Sequence, residues 1–139
     1  MRQLSDIIFD QAPLTLPLSS SVQQACQKMH QRRVGSVLVT EADGSLVGIF
    51  TGRDAVGRVL APGLTAAETR LADVMTPKPT TMPPHNTAID ALRLMWDGGF
   101  RHIPVVDNGK VLGVVSRGDF KGDEHFRLDE ERQLWESMR

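Results

Sequence analysis

The sequence predicts a mixed α+β fold, two βαββα repeats packed with pseudo-twofold symmetry and followed by a C-terminal helix. Three observations carry this. One phrase is written twice, "GIFTGRD" at Gly48 to Asp54 and "GVVSRGD" at Gly113 to Asp119. An amphipathic helical stripe precedes each copy. Between stripe and phrase stand two β-rich runs joined by a tight-turn sequence.

Each repeat opens on a matched pair of short segments. "LSDII" at Leu4 to Ile8 answers "LADVM" at Leu71 to Met75, and "PLTLP" at Pro13 to Pro17 answers "PTTMP" at Pro79 to Pro83. Val22, Ala25, Cys26 and Met29 then fall at i, i+3, i+4 and i+7, one face of a helix. Ala88, Ala91, Leu92 and Met95 repeat that spacing, with Ile89 and Trp96 widening the stripe. Ser20 or Ser21 caps the first helix, and Asn86 or Thr87 the second. Next come "VGSVLV" and "LVGIF" around "EADGS", and "RHIPVV" and "KVLGVV" around "DNG". Val and Ile flanking Asp-Gly or Asn-Gly predict hairpins. Each phrase then opens a helix, Thr51 to Leu60 and Ser116 to about Gly122.

The implied division is repeat 1 at 1–61, a linker at 62–70, repeat 2 at 71–123 and a helical tail at 124–139. A unit of about 60 residues is marginal alone. Two that bury their apolar faces against each other share one core, and symmetry brings both phrases beside a shared groove.

Composition excludes several classes. Sixteen Lys and Arg against seventeen Asp and Glu leave a net charge of −1, whereas a protein that neutralises many phosphates carries a basic excess. No apolar run reaches the roughly 20 residues of a membrane span, and the N-terminus lacks the core of a signal peptide. Cys26 is the only cysteine, and the four histidines show no metal-ligand spacing. A soluble cytoplasmic protein is expected, binding neither nucleic acid nor membrane.

The phrase supports two readings. Thr51 with Asp54, and Ser116 with Asp119, fit capping boxes, a hydroxyl at the cap and an acid three residues on. The same geometry also makes a nucleotide site. A hydroxyl and free N–H groups at a helix start attract phosphate, and an acid one turn along can accept from ribose hydroxyls. Gly48 and Gly113 would allow close backbone approach to a ligand.

With these residues on the page, the chain resembles a tandem cystathionine β-synthase (CBS) domain pair, a Bateman module. "LADVM" and "PTTMPPHNTAIDALRLMWDGGFRHIPVVDNGKVLGVVSRGDF" carry the resemblance, which covers about residues 4 to 120. It implies an adenine-nucleotide site in the cleft between the repeats, with the hydroxyl on phosphate and the Asp on ribose. Thr51 and Asp54 would serve one site, Ser116 and Asp119 the other. Adenine would lie against backbone and apolar side chains near Val37 and Ile103, with Thr15 and Thr81 lining the pockets. Arg53 and Arg117 are candidate phosphate partners, since guanidinium suits bidentate phosphate contact, or else solvated residues of a first helical turn. His102 is a candidate ligand contact or a structural histidine.

Repeat 2 has Arg101, His102 and Pro104 where repeat 1 has Gly35, Ser36 and Leu38, so the pockets are expected to be unequal. Candidate ligands are AMP, ADP, ATP, NAD(H) and S-adenosylmethionine, and no cofactor is required. In the tail, Leu128, Trp135 and Met138 fall near one face, while Arg127–Glu131 and Arg132–Glu136 can pair at i,i+4. That stripe docks on its own module or across a homodimer, the arrangement the resemblance favours. The expected function is a regulatory ligand sensor that signals to a separate effector protein. The alternative is a structural or dimerising module whose phrases are caps only. An enzyme would need a nucleophile, metal site or phosphate loop, and none is convincing.

Overall fold

The computed structural model describes residues 1–138. In chain order its elements are α1 (Leu4–Ile7), β1 (Thr15–Pro17), α2 (Val22–Arg32), β2 (Ser36–Thr40), β3 (Leu46–Thr51) and α3 (Gly52–Asp54). A π-helical segment, Ala55–Leu60, continues α3. Then come α4 (Leu71–Val74), β4 (Thr76–Pro77), α5 (Ala88–Gly98), β5 (His102–Asp107), β6 (Lys110–Ser116), a 3-10 turn (Arg117–Asp119) and α6 (Gly122–Ser137). No helix among the described residues is long and apolar enough to cross a membrane.

The chain forms two compact units, and neither is continuous in sequence. One holds residues 12–80 with 108–111; the other holds 1–11, 81–107 and 112–138. Each has its own core.

In the 12–80 unit a four-stranded sheet runs β1-β2-β3-β4. β1 pairs parallel with β2, while β2–β3 and β3–β4 are antiparallel. Ser21 caps α2, accepting from Gln24 N at 3.1 Å while Gln24 Oε1 takes the Ser21 N–H at 2.9 Å. Val22, Ala25 and Met29 of α2 are buried against Val37, Val39 and Phe50 of the sheet; Cys26 is half-buried at the margin of that core.

In the other unit Thr87 caps α5, accepting from Asp90 N at 3.2 Å. Ala88, Ala91, Leu92 and Met95 are buried with Ile103, Val105 and Val115 of the β5–β6 hairpin. Trp96 does not extend this stripe inward and stays 45% exposed. α5 ends on Gly99 at φ 70, a left-handed C-cap open to glycine without strain.

The opening segments dock crosswise relative to the sequence repeats. Leu4 N donates to Asn86 O at 2.8 Å and Ser5 N to Pro84 O at 3.0 Å. Leu71 N donates to Ser20 O at 2.8 Å and Ala72 N to Leu18 O at 3.1 Å, the same two bonds in the other unit. "LSDII" thus closes the core of α5, and "LADVM" closes the core of α2.

Two local expectations change. The second phrase does not continue as one helix. Phe120 is extended at φ −91 and ψ 146, and is buried at 7% exposure. Its ring enters the core only if the helix breaks there, and a new box begins at Lys121, whose N–H reaches Glu124 Oε1 at 2.8 Å. The tail helix pairs differently as well. Glu131 takes Arg93 of α5 at 2.7 Å rather than Arg127, because α6 lies along α5, and Arg132 stacks on Trp96 at 4.1 Å.

Candidate functional site

Each phrase sits where a strand, β3 or β6, ends and a helical turn begins. At the first, Asp54 Oδ2 accepts from Thr51 N at 2.9 Å and from Thr51 Oγ1 at 3.2 Å, and Asp54 N donates to Thr51 Oγ1 at 3.4 Å. At the second, Asp119 Oδ2 accepts from Ser116 N at 2.7 Å and from Ser116 Oγ at 3.2 Å. The strand register puts Thr51 beside Ser36. Gly52 N donates to Gly35 O at 3.3 Å, and Arg117 N to Arg101 O at 3.0 Å, in the matching place. Each phrase is therefore locked to the start of the strand beside it.

The surroundings differ. Asp54 is largely covered, its side chain 12% exposed, and Arg58 Nε approaches its Oδ1 at 3.6 Å. Asp119 is exposed, and its Oδ1 meets no donor among the described residues. Arg2 donates to the Asp119 carbonyl at 3.0 Å, but its guanidinium is paired with Glu124 at 2.6 Å.

Burial opposes ionisation of Glu124. The Arg2 guanidinium and the Lys121 N–H outweigh it and hold the carboxyl below its ordinary value. Arg101 and Arg117 flank the second phrase where Gly35 and Gly52 flank the first. The Arg117 guanidinium lies over the Trp96 ring at 5.3 Å.

The other predicted residues separate by exposure. Thr15 and Thr81 are exposed, on β1 and just before the Met82–Val105 bridge. Arg53 is exposed in the first turn after Thr51, and His102 is half-buried at the start of β5. Val37 and Ile103 are at 0% exposure inside their cores, so only backbone or neighbouring atoms there can meet a ligand.

Gly48 and Gly113 serve a different close approach from the one expected. A Cβ on Gly113 would stand 2.9 Å from Ile8 Cβ and 2.7 Å from Gln11 Oε1, and one on Gly48 would collide with Met75 Sδ. Met75 and Ile8 are the equivalent last residues of "LADVM" and "LSDII". Each glycine lets the chain's own docked segment, not a ligand, lie on the strand. Arg58 and Arg2 were absent from the sequence reading of the site. The i,i+4 spacing of Asp54 and Arg58 is a legible signal, whereas nothing local joins Arg2 to Asp119.

The CBS domain family profile matches residues 4–61 and 71–122. The chain belongs to the CBS domain family. A CBS domain-containing protein of Arabidopsis thaliana is 38% identical over 102 residues, 73% of this chain and 19% of the relative. This CBS chain thus spans less than a fifth of that protein. The crystal structure of a CBS-domain containing protein from Agrobacterium tumefaciens superposes with a TM-score of 0.78 at 31% identity, over 84% of this chain and 94% of that one. A CBS domain protein of Pyrobaculum aerophilum complexed with AMP gives a TM-score of 0.82 at 23% identity, over 92% and 98%. At that identity the likeness is one of fold.

Proposed function

We propose that this CBS pair is a regulatory module that binds an adenine nucleotide at its repeated phrase and passes the signal to a separate effector protein. One observation carries the reading. An exposed carboxylate, Asp119, is held by Ser116 at a strand end with one oxygen unclaimed, in a turn flanked by Arg101 and Arg117. The Ser116 hydroxyl and the turn's N–H groups suit phosphate, the two arginines add charge of the right sign, and the carboxylate suits a ribose diol. The AMP bound by the Pyrobaculum protein of the same fold supports this chemistry. In this reading Thr81 and His102 would serve the second phrase, and Thr15 and Arg53 the first.

The test is a thermal-shift screen against AMP, ADP, ATP, NAD(H) and S-adenosylmethionine at millimolar concentration. A ligand at about 100 times its dissociation constant adds roughly 2.7 kcal/mol, a rise of several degrees for a chain of this length. Asp119→Ala should then weaken binding roughly tenfold or more, the worth of one charge-assisted hydrogen bond. Unchanged affinity would remove Asp119 from the site. The cap bonds at both phrases favour the second reading, a structural module, and a flat response to all five ligands would select it.

As the quaternary state we propose a homodimer. Leu134, Trp135 and Met138 leave apolar surface exposed at the end of α6, and a twofold interface covers such a patch with its own copy. Sedimentation at increasing concentration checks this; a monomer throughout rejects it.

A further inference from the structure

We propose that Arg58 closes the first phrase, so that the chain takes its ligand at the second alone; this rests on the adenine-nucleotide reading above. A ribose diol needs free acceptor oxygens on the phrase's acid. At Asp54 one oxygen is hydrogen-bonded and the other stands in an ion-pair contact. Oδ2 holds the Thr51 N–H at 2.9 Å, and Oδ1 faces Arg58 Nε at 3.6 Å.

An i,i+4 ion pair on a surface helix is ordinarily weak and loose. This one is tethered at its far side, because Arg58 Nη1 also donates to Met75 O at 2.8 Å and to Val74 O at 3.3 Å. The guanidinium spans from the phrase to the end of α4, beside the Asp54 oxygen that a ribose diol would have to use.

The second phrase lacks this device. The residue four positions after Asp119 is Asp123, an acid rather than a cation, and α6 starts afresh beyond Phe120. Arg2 touches the Asp119 carbonyl, while its charge is taken by Glu124. Arg101 and Arg117 stand beside the second turn, where the first has Gly35 and Gly52 but carries Arg53 in place of Gly118, so the second turn has one more flanking arginine. At the first copy an internal arginine occupies the acid that a ribose diol needs, while at the second that acid stays open beside Arg101 and Arg117.

The experiment is isothermal titration calorimetry of the full chain with AMP, for wild type, Arg58→Met and Asp119→Ala. Methionine keeps most of the apolar stem and removes the donors. One AMP per chain is expected for wild type, two for Arg58→Met, and for Asp119→Ala one site weakened roughly tenfold or more. Amide shifts in an AMP titration of 15N-labelled wild type supply a readout that needs no variant, with the largest changes at 116–119 and none at 51–54.

Two AMP per wild-type chain, or shifts of equal size at both phrases, overturns the inference. One site in both wild type and a folded Arg58→Met removes the role of Arg58 while the nucleotide reading stands. No binding of AMP by any of the three proteins, and no amide shifts, overturns the inference, and the site reading falls with it when the five-ligand screen is also flat.

Discussion

At the scale of single residues, the two glycines of the repeated phrase show how one letter can be read for the wrong partner. A glycine before a hydroxyl and an acid is a reasonable mark of close approach, and close approach is what the structure has. The approaching group is Ile8 at Gly113 and Met75 at Gly48. The two positions should therefore respond unequally to alanine. A methyl on Gly113 meets Ile8 Cβ, which is fixed to a docked backbone, and Gln11, whose amide both accepts from Val114 N and donates to Val114 O. Overpacking of this kind costs about 1–3 kcal/mol. A methyl on Gly48 meets chiefly the thioether of Met75, which can swing aside. Thermal denaturation should show Gly113→Ala the less stable by several degrees; equal midpoints would mean that Ile8 gives way as readily as Met75.

Glu124 supplies a second residue-scale prediction. Its folded-state pKa lies below the ordinary value of 4.5, burial being outweighed by Arg2 and Lys121. A depressed carboxyl contributes stability that is present above the unfolded-state value and lost as pH falls through the folded one. Wild type should lose stability between about pH 5 and pH 3 more steeply than Glu124→Gln, measured as the melting midpoint against pH. Parallel curves would show that the Arg2 pair contributes nothing through ionisation.

At the scale of elements, what was legible depended on whether the cause was local. The caps at Ser21 and Thr87, the stripes of α2 and α5 and both hairpin turns are set by residues within a few positions of one another, and apart from the exposed Trp96 they stand as the spacing predicts. β4 was not legible. Thr76–Pro77 is two residues long and becomes a strand only by lying against Gly48 and Ile49.

In the other unit the corresponding place on Val114 is filled by the side-chain amide of Gln11, which acts as a strand edge with no strand. The break at Phe120 was hidden for a similar reason, because a distant core decides which way that ring must point. α6 carries so many acids that its apolar stripe is thin. Leu128 docks, Trp135 and Met138 do not, and Arg93–Glu131 with the Arg132–Trp96–Arg117 stack holds the helix to α5 and to the second phrase. That stack joins three elements far apart in sequence. No periodicity reports it.

At the scale of the whole molecule, sequence order and structural membership diverge. Reading along the chain assigns "LSDII" to the first repeat and "LADVM" to the second. The hydrogen bonds place Leu4 on the strand-to-helix entry of α5, and Leu71 on that of α2. Both leucines are fully buried, each in the core of the opposite repeat's helix. The repetition itself was visible in the sequence; the exchange was not, because either docking satisfies the same local pattern.

The exchange makes a crossed prediction. Leu4→Ala and Leu71→Ala each remove a buried leucine and should cost about 2–5 kcal/mol. Native-state hydrogen exchange, which resolves local opening from global unfolding, should place the damage. Leu4→Ala should deprotect α5 and the β5–β6 hairpin more than β2 and β3, although Leu4 precedes β2 and β3 in the chain. Leu71→Ala should deprotect α2, β2 and β3 more than α5, although it lies in the second repeat. Damage that instead follows the sequence repeats would mean that each opening segment closes its own repeat, and the paired bonds at Asn86 and Ser20 would then be wrongly placed.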